Sequence, residues 1–325
     1  PRLPADLVCR RRLVDRLQAG LDRKLTLICA QAGAGNTTLL AQWLNECPQP
    51  SAWLSLDEHD NDLIVFASYL VGAIRTVIPD ACEETLGLLG AAQPPPLRVI
   101  ATSLVNELDE LTVVLSSNEE DATDSLKEGD RSATGAGSMG GLVLALDDYQ
   151  TITDPAIHEL MSILIRHLPR SVHLALATRS DPPLPLPQLR ARGEMTEFRF
   201  VDMRFTPQET DAFLEGAVGR DVNAETASLL AEKAEGWIVG LRLAALSMRV
   251  LSDDKAFAQR FRGTSSALIV EYLLNEVLAR QSPEIQDFVL RTSVLDRFCA
   301  PLCQVLTEIP AGRSQRIIDR IAGAN

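Results

Sequence analysis

The sequence predicts an α/β protein: a parallel sheet covered by helices, followed by a helical second half. Three observations predict it. Short apolar runs at Leu25–Cys29, 141–150 and Val172–Ala177 suit strands buried on both faces. Helical patterns of ten or more residues alternate with them, as a parallel sheet requires. From Thr206 onward the period becomes helical throughout.

The first element is the most informative. Residues 25–40 (LTLICAQAGAGNTTLL) read as a buried strand, a glycine-containing turn and a helix start, which is the layout of a phosphate-binding P-loop. Ala32, Gly33, Ala34 and Gly35 are small, so the backbone can curl and aim its N–H groups at phosphate oxygens. A helix from about Thr37 to Leu44 would present its positive end to the same anion. The Thr37 hydroxyl then sits where it would ligate phosphate-bound Mg²⁺. Against G-x-x-x-x-G-K-[ST] the chain offers Ala30, Gly35, Asn36 and Thr37, so two of four fixed positions depart. By itself the stretch also fits an ordinary turn between a strand and a helix.

The following elements supply what a P-loop requires. Residues 51–56 (SAWLSL) form a second short strand, and 63–77 and 94–111 carry helical spacing. In GLVLALDDYQ, residues 141–150, an apolar strand ends in two carboxylates. Asp147 would hold Mg²⁺ and Asp148 would orient or deprotonate an attacking water, although Asp is also common in solvated turns at strand ends. The strand VHLALA, 172–177, leads into Arg179, placed where a doubly wound sheet binds its ligand and so able to sense a terminal phosphate. The plainer reading pairs Arg179 with Asp181. Between these elements, 116–141 holds six acidic and two basic residues and few apolar ones, and is expected to be a flexible insertion.

In the second half, TPQETDAFL predicts a capped helix, with Thr206 as N-cap, Pro207 in the first turn and Glu209 completing the cap. Helices are predicted over 223–233, 237–250, 267–280, 283–293 and 300–306. The division expected is 1–205 for the sheet domain, 206–263 for a helical domain and 264–325 for a winged-helix domain. The ending IAGAN carries no cap, so the winged helix is expected to be truncated and the chain a fragment.

Composition narrows the class. An apolar content of 46% over 325 residues supports two or three domains with cores. No apolar run reaches membrane-spanning length and the first residues lack a signal-peptide core, so an intracellular protein with no membrane partner is expected. Six scattered cysteines without a CxxC pair indicate neither a disulfide framework nor a zinc site, and most should be buried. A net charge of −13 argues against a grip on nucleic acid by this stretch alone.

The blocks PRLPADLVCRRRLVDRL, SAWLSLDEHDND, LVLALDDYQ, LATRSDPPLPLPQLRARG, FTPQET, EGWIVGLRLAALS and IVEYLLNEVLARQSPEIQDFVLRTSVLDRFCAPLC, together with the loop, resemble the nucleotide-binding region of the MalT-like, large LuxR-type transcriptional regulators. These are signal-transduction ATPases with numerous domains. The resemblance implies a P-loop NTPase domain of the AAA+/STAND kind, then a helical domain and a partial winged helix. It implies ATP or ADP with Mg²⁺ as cofactors. It places Val8, Arg10 and Arg12 beside the adenine and ribose, and Ala32, Gly33, Ala34, Gly35, Asn36, Thr37 and Thr38 on the phosphates. Asp147 falls at the metal position, Asp148 and Arg179 at the catalytic and sensor positions, and Gly236 and Trp237 in a motif that closes over the nucleotide. Ile238 stands where relatives place a proline. As partners it implies self-association on activation, an inducer bound by a missing sensor domain, and DNA reached through a missing C-terminal helix-turn-helix.

Asn36 is the departure that matters. A lysine there would put a full charge between the β- and γ-phosphates, whereas an amide offers neutral hydrogen bonds. Binding with little turnover is therefore expected, with a slow ATPase or a nucleotide-free scaffold as the alternatives.

Overall fold

A computed structural model of the chain describes residues 3–4, 7–123, 141–219, 221–250, 278–279, 281–295 and 299–323. The chain divides into two compact units. The first comprises 1–3, 9–29 and 36–198, and the second comprises 4–8, 30–35 and 199–325.

The first unit is built on a five-stranded sheet of order β2-β3-β4-β1-β5, with β1 at Leu25–Cys29, β2 at Ser51–Ser55, β3 at Leu142–Asp147, β4 at Val172–Thr178 and β5 at Met195–Arg199. The β2–β3, β3–β4 and β4–β1 pairs are parallel. Every residue of β1, β3 and β4 is buried, so these strands read as mainly apolar runs. On one face Leu25 and Leu27, Leu144 and Leu146, and Leu174 and Leu176 join a core completed by α3 (Leu63–Arg75), α5 (Leu97–Thr123) and α6 (Pro155–His167). The opposite face carries Thr26 and His173 and meets α2 (Asn36–Glu46). There Trp43 sets its ring edge-on to His173, at 5.9 Å between centroids.

Local chemistry starts the helices where the chain needs them. Asp62 caps α3 by accepting from the Ile64 and Val65 N–H groups, and Asp154 with Pro155 opens α6. α1 (Arg11–Gln18), α4 (Glu83–Leu89) and α7 (Leu186–Arg192) complete the unit. α5 continues to Thr123, into the stretch from 116 expected to be a flexible insertion. Residues 124–140 of that insertion lie outside the described residues. The cysteines are also less uniformly buried than expected: Cys29, Cys82 and Cys303 are buried, Cys47 is intermediate, and Cys9 and Cys299 are exposed.

The second unit begins with α8 (Phe200–Met203) and continues with α9 (Pro207–Val218), α10 (Ala224–Ala234) and α11 (Ile238–Val250). The Thr206–Glu209 capping box forms as the sequence predicts. Phe213, Leu214, Leu230, Leu241 and Met248 make the core of these helices. A smaller core of Ile285, Phe288, Cys303 and Ile317 joins α12 (Pro283–Thr292), α13 (Ala300–Thr307) and α14 (Ala311–Gly323). The helix expected over 267–280 lies almost wholly outside the described residues, as does the tail of the helical domain after Val250.

Candidate functional site

In the first unit the carboxyl ends of β1, β3 and β4 lie side by side, since Cys29 pairs with Thr178 and Leu146 with Leu176. The Thr37 hydroxyl, in the first turn of α2, donates to Asp147 Oδ1 at 3.1 Å. Asp147 is only 4% exposed. Burial raises its carboxyl pKa and the Asp148 charge raises it further, while the Thr37 hydrogen bond pulls it back. A hydroxyl and a costly buried carboxylate converging this way suit a hard divalent cation such as Mg²⁺. Among the described residues no cluster of three or more His, Cys, Asp or Glu could hold a metal by itself. A cation here would complete its shell with phosphate and water. Thr38, the next residue of α2, is half-buried.

Asn36 begins α2, and its Nδ2 donates to the Thr178 carbonyl at 2.9 Å. The amide is thus held against the end of β4.

Asp148 takes a left-handed backbone, φ 57°. Its Oδ1 accepts from Gln150 Nε2 at 2.7 Å and lies 3.6 Å from Arg179 Nη2. Gln150 Oε1 in turn accepts from the Arg179 backbone N–H at 3.0 Å. Arg179 thus forms an ion pair with Asp148. Both side chains are over a third exposed, so this pair contributes at most about 1 kcal/mol. Gln150 was not singled out by sequence because its role arises from the loop's path. The same holds for Asn61, whose amide donates to the Thr151 carbonyl at 2.7 Å and whose Oδ1 accepts from Thr153 N at 2.6 Å. Arg10 is the buried N-cap of α1, and Arg12 is exposed on its first turn.

The second unit holds the other expected residues. Gly33 and Gly35 have φ of 73° and 92°, the left-handed region in which a side chain would be strained. Ala34, buried, closes the turn by donating its N–H to the Gln31 carbonyl at 3.1 Å. Ala32 accepts through its carbonyl from Trp237 Nε1 at 3.3 Å. Gly236, φ 71°, lies so close to Phe205 that a Cβ would come within 2.7 Å of the Phe205 carbonyl oxygen. That close approach is reason enough for a glycine at 236. Val8 packs on the helical core, as do Phe205 and Ile238.

Comparison with known proteins places this geometry. Residues 274–325 match the MalT winged helix domain. Over 289 residues, 89% of this chain, the sequence is 32% identical to the HTH-type transcriptional regulator MalT of Yersinia enterocolitica, and the same holds for that of Yersinia pestis. The chain is MalT-like. It spans 29% of the length of those relatives. The MalT-like chain also shares its fold with the Walker-type ATPase of Pyrococcus abyssi, with TM-score 0.60 and 16% identity over 99% of this chain and 91% of that one. A signal-transduction ATPase with numerous domains and a tetratricopeptide repeat sensor, from Pyrococcus horikoshii, aligns at TM-score 0.51 and 14% identity, over 98% of this chain and 39% of that one. At such identities the likeness reports fold alone, and the fold is that of the P-loop ATPases.

Proposed function

We propose that this chain is the nucleotide-binding switch region of a MalT-like transcriptional activator, holding ADP or ATP with Mg²⁺ and hydrolysing ATP slowly or not at all. The observation that carries the reading is the 3.1 Å approach of Thr37 to Asp147 beside an uncharged Asn36 committed to Thr178. The parts that would bind a metal–phosphate group are kept, while the charge that would stabilise a transferring phosphoryl group is missing from position 36.

Each residue then has a task. Backbone N–H groups of 32–35 and the start of α2 would cradle the phosphates. Thr37 and Asp147 would hold Mg²⁺, which when bound neutralises phosphate charge. Asp148 is the candidate base and Arg179 the candidate sensor, with Val8, Arg10, Arg12, Thr38, Gly236 and Trp237 as surrounding contacts. Replacing a charge-assisted hydrogen bond by a neutral one costs binding about 1–3 kcal/mol. Turnover suffers more, because that charge acts most strongly in the transition state. Nucleotide and inducer states would bias a resting form towards a self-associating one in the cytoplasm, with DNA contacted by a part of the protein beyond this stretch.

Thermal unfolding with millimolar ADP or ATP plus Mg²⁺ tests the reading. A rise in melting temperature is expected. No shift with either nucleotide sinks it. A phosphate-release assay separates the slow-ATPase alternative, for which turnover abolished by Asp148→Asn would be the mark.

A further inference from the structure

We propose that Arg179, at the end of β4, supplies the phosphate-binding charge that position 36 lacks, so that the affinity of this chain for ADP as well as ATP rests in large part on Arg179. The inference rests on the nucleotide reading above and goes beyond a sensor role, which concerns the terminal phosphate only.

Charge is unevenly distributed around the carboxyl ends of these strands. In the segments that follow β1, β3 and β4, residues 30–36, 148–151 and 179–181, Arg179 is the only basic side chain. The same strand ends carry Asp147, Asp148 and Asp181. A phosphate chain brought to Thr37 and Asp147 with one divalent cation meets carboxylates on the protein side, and a second positive group is needed to offset them. Asn36 cannot be that group. It is uncharged, and its amide nitrogen donates to the Thr178 carbonyl at 2.9 Å.

That contact also locates the replacement. Thr178 is the residue immediately before Arg179, so the start of α2 is bonded to the stretch of chain that bears the cation. Gln150 fixes the base of the arginine by accepting from its backbone N–H at 3.0 Å. The guanidinium is held far less firmly. Its 3.6 Å approach to Asp148 is an ion pair outside hydrogen-bond range, between two side chains 35% and 41% exposed. Such a pair is readily exchanged for a phosphate oxygen, which matches the guanidinium fork and carries more charge. Asp148 keeps its bond from Gln150 Nε2 when the arginine leaves.

The charge has thus moved from the first turn of α2 to the end of the adjoining strand. A substitution at 179 and one at 36 should then compensate one another.

ADP is the decisive probe, because a residue that only senses the terminal phosphate has nothing to touch in it. Fluorescence titration of the whole chain with labelled ADP and Mg²⁺ would be run on the unmodified protein, Arg179→Gln, Arg179→Lys, Asn36→Lys, and Asn36→Lys with Arg179→Gln. Arg179→Gln is expected to weaken ADP binding by roughly ten- to a hundredfold, the scale of one charge-assisted hydrogen bond. Arg179→Lys should keep most of the affinity, and adding Asn36→Lys to Arg179→Gln should restore it. Circular dichroism confirms that each variant is folded, and the restored double variant guards against a loss that merely reflects misfolding. ADP affinity unchanged in Arg179→Gln, or not regained in the double variant, overturns the inference while leaving the nucleotide reading intact. An unmodified chain that binds neither ADP nor ATP overturns both.

Discussion

The two ends of the same strands treat polar groups in opposite ways. Near the amino ends of β1 and β4, His173 is 2% exposed and both ring nitrogens are engaged: Nδ1 with the Arg23 carbonyl at 2.8 Å and Nε2 with Thr26 Oγ1 at 3.0 Å. Trp43 seals that end and donates its own N–H to Gln18 Oε1 at 3.2 Å. At the carboxyl ends, Asp147 is buried at a cost, and Asp148 and Arg179 meet loosely near solvent. The first arrangement is complete without a ligand. The second combines a buried carboxylate with a loose, solvent-facing ion pair, the features that the proposed binding site would use.

The largest effect is expected from breaking the sealed end. Trp43→Ala removes a fully buried ring and should cost about 3–5 kcal/mol in urea unfolding. Acid attacks the same end. The His173 imidazole is pulled down to about 4, first by burial, with the Arg23 carbonyl and the Asp22 charge partly opposing. The unfolded chain therefore takes up a proton before the folded one does, and stability falls as pH drops from about 6.5 to about 4, by roughly 3 kcal/mol in all. Unfolding midpoints measured across that window should fall in the unmodified chain and flatten in His173→Gln.

At the other end the sign reverses. Asp147→Asn removes a buried charge and should stabilise the nucleotide-free chain by about 1 kcal/mol while abolishing any Mg²⁺-dependent rise in melting temperature. Loss of stability in that variant would make Asp147 a structural residue like His173. The smallest effect belongs to Gln150→Ala, which frees two half-exposed contacts and should change stability by less than about 1 kcal/mol.

The contrast also explains what the sequence made legible. β1, β3 and β4 stand out because burial on both faces demands mainly apolar runs, and Thr37 and Asp147 stand out because the P-loop pattern expects a hydroxyl and a carboxylate just beyond such runs. β5 does not stand out. Met195–Arg199 reads MTEFR, with Glu197 and Arg199 only partly buried, so its pattern is no more apolar than a loop. Nor does α1, where arginines at 11, 12 and 16 surround a narrow stripe of Leu13, Val14 and Leu17. Gln150 and Asn61 could not be found from pattern at all, because they act by bonding backbone atoms of distant loops, which no local period encodes.

The left-handed backbone at Asp148 separates two adjacent letters of the sequence. Asp147 takes its side-chain hydrogen bond from Thr37, and Asp148 meets Gln150 and Arg179, so the two carboxylates have different side-chain partners. Under the function proposed above, holding a metal and activating water would therefore rest on contacts that can be changed one at a time.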